Sequence, residues 1–202
     1  RILVIGLGGG SVLRFLQYHF PSCHLDVIEQ RDDVITLAKT YFSIHSSDKL
    51  AIYTGDAEQV LKEGPLAREF YYDAILLDAY DGLGLSPSLV SIDFYDRCRS
   101  LLSTDGITIA NLWASHMEVY QQALNYLNYS YNDQLLKLPV SGKGNVIILA
   151  SKKPVVFKQL KRLMTTAKTL ETKCDMEFRR ILRDLQRFNR QSIWHRLANT
   201  LS

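Results

Sequence analysis

The chain is poor in cysteine, in metal-ligand motifs and in long apolar runs. Its three cysteines, Cys23, Cys98 and Cys174, are far apart among 202 residues, which excludes a disulfide framework and favours a reducing, cytoplasmic compartment. The five histidines are scattered, so we expect no metal site. No segment approaches the roughly 20 apolar residues that a membrane span requires, and we expect no membrane association.

The chain has a net charge of only +3, but its two parts have net charges of opposite sign. Residues 1–151 hold 11 Lys/Arg and 17 Asp/Glu, whereas residues 152–202 hold 13 and 4. We therefore predict two units, a folded domain over 1–151 and a basic helical C-terminal extension over 152–202. Apolar residues within 178–185 follow helical spacing, so this extension docks on its own domain or on a twin subunit, and we expect a homodimer. An RNA or acidic partner is the alternative, but nothing resembles a nucleic-acid motif, so nucleic acid is not expected.

Apolar runs of strand length alternate with helical patterns, which is typical of an α/β fold with a mostly parallel sheet. The glycine-rich link 141–144 is short enough for a hairpin, so we expect the sheet to end with one antiparallel strand. Because the chain begins at Arg1 within a strand pattern, we expect it to be part of a longer protein. The seven predicted strands are 2–5, 24–28, 50–54, 72–77, 106–112, 134–139 and 145–150.

Several candidate ligand residues follow the first three strands, where open parallel sheets bind their ligands. A turn with Gly6, Gly8, Gly9 and Gly10 follows the first strand and lets the backbone approach a ligand closely. Glu29 ends the second strand, where it is placed to accept both ribose hydroxyls. Each feature alone fits a turn or a helix cap equally well. Their conjunction predicts a nucleoside site.

The third strand and the glycine spacing narrow the class of nucleoside. Asp56 and Ala57 follow the third strand and suit an adenine amino group, Asp56 as acceptor and Ala57 leaving space. The turn reads G-x-G-G-G-S, which does not favour a nicotinamide dinucleotide, and no Gly-Lys-Ser/Thr follows as in a phosphate loop. We therefore expect an adenosine with a compact sulfonium tail.

The segment Asp78-Ala-Tyr-Asp81 follows the fourth strand and carries the candidate catalytic residues. A carboxylate here can attract a cationic amine and remove a proton as the amine attacks. A turn is the alternative, because Asp81-Gly82 is a good turn pair.

These stretches resemble the spermidine/spermine synthases (polyamine aminopropyltransferases). The likeness covers about residues 2–151 and rests on Ile2–Arg14, Val27–Glu29, Gly55–Ala57 and Asp78–Asp81, followed by Leu89 and Asp93-Phe-Tyr95. It implies the class I S-adenosylmethionine-dependent methyltransferase-like (Rossmann-like) fold, decarboxylated S-adenosylmethionine as donor, a small amine as acceptor and methylthioadenosine as product. It also implies that Asp78 is the base and Asp81 an amine contact.

The chain departs from the family pattern at three positions. Gly9 stands where the family has an Asp that holds the donor's charged tail, Tyr80 stands inside the D-S-S-D segment, and Gly82 replaces a Pro. The family's small β-domain before the first strand is not represented in residues 1–202, and we expect it to lie outside them. Without the Asp, the carboxylate of intact S-adenosylmethionine meets no like charge. Methyl transfer to an amine or protein acceptor, yielding S-adenosylhomocysteine, is therefore the first alternative, and a non-catalytic nucleoside-binding or interaction domain is the second.

Overall fold

The computed structural model describes residues 1–66, 71–81, 84–85, 89–154 and 157–189, and these form strands and helices in alternation. The strands are β1 (Ile2–Ile5), β2 (Leu25–Glu29), β3 (Leu50–Thr54), β4 (Tyr72–Leu77), β5 (Tyr80–Asp81), β6 (Gly84–Leu85), β7 (Leu102–Trp113), β8 (Leu135–Pro139) and β9 (Asn145–Ser151). The helices are α1 (Ser11–His19), α2 (Asp32–Phe42), α3 (Ala57–Lys62), α4 (Ile92–Leu101), α5 (Met117–Ser130), α6 (Phe157–Cys174) and α7 (Phe178–Phe188).

Seven of these strands form one sheet in the order β3-β2-β1-β4-β7-β9-β8, which confirms the predicted α/β class and the Rossmann-like, mostly parallel seven-stranded sheet. The antiparallel strand is β9, as expected, but it lies between β7 and β8. The edge strand is therefore β8, because the hairpin folds its second strand back inside the sheet. The two-residue strands β5 and β6 form a separate small hairpin directly after the fourth strand. The sequence offered a turn at Asp81-Gly82 as an alternative there, but it did not indicate the two strands.

The sheet has two covered faces because side chains alternate along each strand. On one face Leu77, Ala110 and Ile148 belong to a core that includes residues of α3, α4 and α5. On the other face Val4 and Val27 pack with residues of α1 and α2. The two cores hold the strand ends in fixed positions at the carboxyl edge of the sheet.

The last helix of the described residues, α7, packs on the edge of the same sheet. Leu185 packs against Leu136 of β8, and the Asn189 side chain exchanges hydrogen bonds with the backbone of Lys137 in both directions at 2.8 Å. Docking on its own domain is therefore the arrangement observed for the apolar face of α7. Within the described ranges, no helix is long and apolar enough to cross a membrane.

At the amino-terminal edge of the sheet, Asp26 is almost fully buried but paired. It accepts hydrogen bonds from the guanidinium of Arg1 at 2.5 and 2.9 Å and from the Tyr72 hydroxyl at 3.0 Å. A buried carboxylate with these partners fixes three adjacent strands. It is structural and lies at the opposite edge from the strand ends that carry the predicted ligand residues.

Candidate active site

The ends of four neighbouring strands lie level with one another. The backbone N–H of Gly6 donates to the carbonyl of Ile28, that of Gly55 to Glu29, and that of Asp78 to Ile5, at 2.9, 3.0 and 2.9 Å. Residues that follow β1, β2, β3 and β4 are therefore brought to one place, as the rule for open parallel sheets requires.

A cleft of about 140 Å³ opens at this place and contains most of the predicted site. Gly10 does not line it, whereas Gln30, Arg31 and Val34, which sequence reasoning did not select, do. The predicted residues that line the cleft are Gly6, Gly8, Glu29, Asp56, Ala57 and Asp78.

The carboxylate of Glu29 joins the glycine turn to the end of β2. One oxygen accepts from the backbone N–H of Leu7 at 2.8 Å and the other from that of Arg31 at 3.0 Å. Each carboxylate oxygen can accept a second hydrogen bond, so the group still fits a pair of ribose hydroxyls. Glu29 thus orders the turn and remains available to a ligand.

Asp56 is the N-cap of α3, since one of its oxygens accepts from the backbone N–H of Gln59 at 3.1 Å. Capping this helix is therefore part of the role of Asp56. The cap also fixes the side chain in the cleft, next to the buried Ala57. A fixed acceptor beside a small side chain fits the edge of an adenine ring.

At Gly6, the glycine turn has a backbone conformation that only glycine adopts without strain. Its φ is +98°, and a Cβ there would lie 2.3 Å from the carbonyl oxygen of Asp78. The turn and the candidate base are therefore in direct backbone contact. Gly10 begins α1 with φ +69°, and a Cβ there would lie 2.6 Å from Ile44, so the turn packs closely on the buried Ile44 at this position.

Asp78 is held by a chain of two amides that sequence reasoning missed. The amide of Asn111 at the end of β7 donates to Asp78 Oδ1 at 2.8 Å, and the amide of Asn145 on β9 donates to Asn111 Oδ1 at 2.8 Å. Because the Asn111 oxygen is engaged, its NH₂ group must face Asp78. A polar residue inside the apolar run Ile107–Leu112, at another strand end, was the signal that could have revealed Asn111.

Tyr80 closes the site on the α5 side. Its hydroxyl donates to the carbonyl of Asn111 at 2.5 Å and accepts from the backbone N–H of Trp113 at 3.0 Å. Its ring stacks on Trp113 with centroids 4.9 Å apart and planes inclined by 16°. Burial raises the pKa of Tyr80 to about 12, so the hydroxyl stays protonated and keeps both bonds at neutral pH.

Two sequence-selected positions stand apart from this group. The side chain of Asp81 lies outside the described residues, although its backbone pairs with Gly84 in the small hairpin. Gly9 does not line the cleft, and a Cβ there would lie 3.6 Å from Cε2 of Phe42. An acidic side chain at Gly9 would therefore point towards an aromatic ring. In the described part of the chain, no group of three or more His, Cys, Asp or Glu side chains could hold a metal ion.

The fold and this site define a transferase of the class I methyltransferase fold with an adenosyl-type cofactor cleft. The spermine/spermidine synthase domain model matches residues 1–159, and the chain belongs to that family.

Individual relatives include two kinds of transferase. A polyamine aminopropyltransferase of Chromobacterium violaceum is 30% identical over 200 residues, covering 98% of this chain and 74% of that protein. The human eEF1A lysine and N-terminal methyltransferase is 28% identical over 179 residues, covering 84% of this chain and 25% of that protein. The crystal structure of human methyltransferase-like protein 13 in complex with SAH superimposes with a TM-score of 0.69 at 26% identity, covering 90% of this chain and 81% of that one.

Proposed function

We propose that the protein transfers an aminopropyl group from decarboxylated S-adenosylmethionine to an amine, with Asp78 as the general base. The observation that carries the proposal is the position of Asp78, which lines the same cleft as Glu29 and Asp56 and receives the Asn111 amide. Family membership supports the reaction class, and the strand-end geometry supports the residue.

The cleft fits the donor that this reaction uses. Glu29 would accept the ribose hydroxyls, and Asp56 and Ala57 would meet the adenine edge. The open backbone at Gly8 would lie beneath the ligand, next to Gly6. Gly10 contributes by starting α1. We assign Asp81 to a second amine contact by family resemblance alone.

Asp78 has a defined chemical task in this arrangement. The donor supplies an electrophilic carbon next to a sulfonium sulfur, and an amine must be unprotonated to attack that carbon. Asp78 Oδ1 takes the Asn111 bond, while Oδ2 has no bond from a described residue and is free to accept the amine proton. Asp78 is exposed, and an exposed side chain without a partner would rotate freely. The hydrogen bond from the Asn111 amide therefore holds the carboxylate in one orientation.

Replacing Asp78 by Asn tests this role, because it keeps the shape and removes the base. We expect Asp78→Asn to bind methylthioadenosine as the wild type does and to lower turnover by about 10²–10⁴-fold. Asp105→Asn is the matched control, since Asp105 is an exposed carboxylate paired with Lys153 and does not line the cleft. An Asp78→Asn enzyme with full turnover would exclude Asp78 as the base.

Methyl transfer is the second candidate, and Gly9 is the observation that favours it. The turn carries no carboxylate to hold a cationic donor tail, and the space beside Gly9 is lined by Phe42. Calorimetric titration with S-adenosylmethionine, its decarboxylated form and methylthioadenosine separates the candidates. Tight binding of the decarboxylated donor without binding of intact S-adenosylmethionine excludes methyl transfer, and failure of all three supports a non-catalytic domain.

A further inference from the structure

Asn145, the first residue of β9, is connected to the candidate base although it does not line the cofactor cleft. Its amide donates to Asn111 Oδ1 at 2.8 Å, and the Asn111 amide donates in turn to Asp78 Oδ1 at 2.8 Å. The connection therefore runs from one amide to the next and ends on the carboxylate. Any influence of Asn145 on Asp78 through these bonds depends on Asn111.

The register of the sheet brings the two amides together. Asn145 lies opposite Trp113 in the β7–β9 pair, and Asn111 lies opposite Ile147. Residues two apart on a strand have their side chains on the same face, and diagonal neighbours on that face are within reach of each other. Both asparagines are half-buried, so each amide has lost part of its hydration and is stabilised by a protein partner.

The backbone on both sides of this contact is fixed. The carbonyl of Asn145 accepts from the backbone N–H of Val140 at 2.9 Å, which anchors it in the β8–β9 hairpin. The carbonyl of Asn111 accepts from the Tyr80 hydroxyl at 2.5 Å. With both backbones held, the main freedom left to the Asn111 side chain is rotation of its terminal amide group.

The direction of the Asn111 amide decides whether Asp78 has a partner. Rotating the amide by half a turn exchanges its oxygen and its NH₂ group. A carboxylate only accepts hydrogen bonds, so an Asn111 oxygen that faced Asp78 would set one acceptor against another. The NH₂ group of Asn145 occupies the Asn111 oxygen and so favours the direction in which Asn111 donates to Asp78.

We propose that Asn145 is a positioning residue for the candidate base, acting through the direction of the Asn111 amide. The inference rests on the proposed aminopropyl transfer, in which Asp78 keeps Oδ1 on Asn111 and presents Oδ2 to the amine proton. It requires a hydrogen-bond donor at position 145. A carboxylate there would attract the NH₂ group of Asn111 away from Asp78, because position 145 is half-buried whereas Asp78 is exposed and can turn to water.

The kinetic test replaces Asn145 by Asp, which keeps the shape but only accepts. We expect Asn145→Asp to lower kcat by about 10–100-fold, since Asp78 loses a hydrogen bond to a charged group. Affinity for methylthioadenosine should not change, because the cofactor contacts are untouched. Asn125→Asp is the matched control, since Asn125 is an exposed residue of α5 and the substitution adds the same charge.

A second background separates the amide from the added charge. Asn111→Leu removes the connecting amide, so its own kcat should be low and Asn145→Asp should lower it no further. A charge acting directly through space would lower kcat in both backgrounds. Urea unfolding of each variant shows whether the fold is retained.

The side-chain NH₂ signals of Asn111 give a readout that needs no turnover. They are the asparagine signals that disappear from the proton–nitrogen NMR spectrum of Asn111→Leu. In the wild type, Asp78→Asn replaces a charged acceptor by a neutral one and should shift these signals. In Asn145→Asp the NH₂ group faces residue 145, so the same change at Asp78 should leave them in place.

Two results would overturn the inference. One is an Asn145→Asp enzyme with the kcat of the wild type, and the other is an equal loss of kcat in the Asn111→Leu background. If the wild type transferred no aminopropyl group, the proposed reaction would be rejected and the NMR comparison would decide alone. Asn111 signals that respond to Asp78→Asn only in the wild type would then support the positioning by Asn145, and signals that respond in both proteins would reject it.

Discussion

Substituting Gly6 by Ala should disturb both the stability of the domain and the position of the candidate base. Gly6 has φ +98°, and its added Cβ would lie 2.3 Å from the carbonyl oxygen and 2.7 Å from the carbonyl carbon of Asp78. Both atoms belong to the backbone, so neither can rotate away. The two strand ends would have to separate, and Asp78 would move with them.

The expected cost has two parts. A non-glycine residue in this region of φ costs about 1–3 kcal/mol, and forcing a methyl group into a filled space costs about 1–3 kcal/mol more. Gly142 supplies the control for the first part, because it has φ +70° in the β8–β9 hairpin and a Cβ there meets nothing within 4 Å. The difference between Gly6→Ala and Gly142→Ala therefore measures the contact with Asp78.

Urea unfolding of the wild type and both variants gives this difference, and methylthioadenosine titration reports the site. We expect Gly142→Ala to lose about 1–2 kcal/mol with unchanged ligand affinity. Gly6→Ala should lose roughly 2–6 kcal/mol and should bind the ligand more weakly. If the two variants were equally stable, the close approach between the glycine turn and Asp78 would be refuted.

Two further predictions concern single carboxylates. Glu29→Gln should weaken methylthioadenosine binding by roughly 1–3 kcal/mol, through loss of charge-assisted bonds to ribose; unchanged affinity in calorimetry would remove Glu29 from the ribose role. The backbone N–H of Arg179, together with its guanidinium, lowers the pKa of Glu171. Its stabilisation is therefore present above the unfolded glutamate pKa of about 4.3 and is lost as the pH falls through the folded value. Glu171→Gln should flatten the acid side of a stability-against-pH profile, and an unaltered profile would contradict this link between α6 and α7.

The sheet was largely predictable because its strands are short apolar runs followed by glycine or acidic residues. The run Ile2–Ile5 and the acid at Glu29 mark strand ends that the structure reproduces. The order of the strands within the sheet was harder to predict, because a hairpin pattern does not say which of its two strands pairs with β7. The small hairpin at Tyr80–Asp81 and Gly84–Leu85 was missed because two-residue strands have no detectable periodicity.

Some residues of the candidate site could likewise be predicted from the sequence, and others could not. Residues that directly follow a strand, such as Glu29, Asp56 and Asp78, could be selected because topology alone brings them together. Asn111 and Asn145 could not, because their role depends on cross-strand register and on the direction of an amide. Tyr80 was noticed as a departure from a family pattern, but its attachment to Trp113 requires coordinates.

The choice of donor depends on the glycine turn and not on Asp78, because both transfer reactions need a base beside an adenosyl site. The turn itself offers no charge at Gly9, and the neighbouring Phe42 ring is uncharged. The guanidinium of Arg14 lies 5.9 Å from the centroid of that ring, and a cation there favours a donor that keeps its carboxylate. The ratio of affinities for intact and decarboxylated S-adenosylmethionine therefore reports on the turn, whereas turnover of Asp78→Asn reports on the base. Only the first measurement distinguishes aminopropyl transfer from methyl transfer.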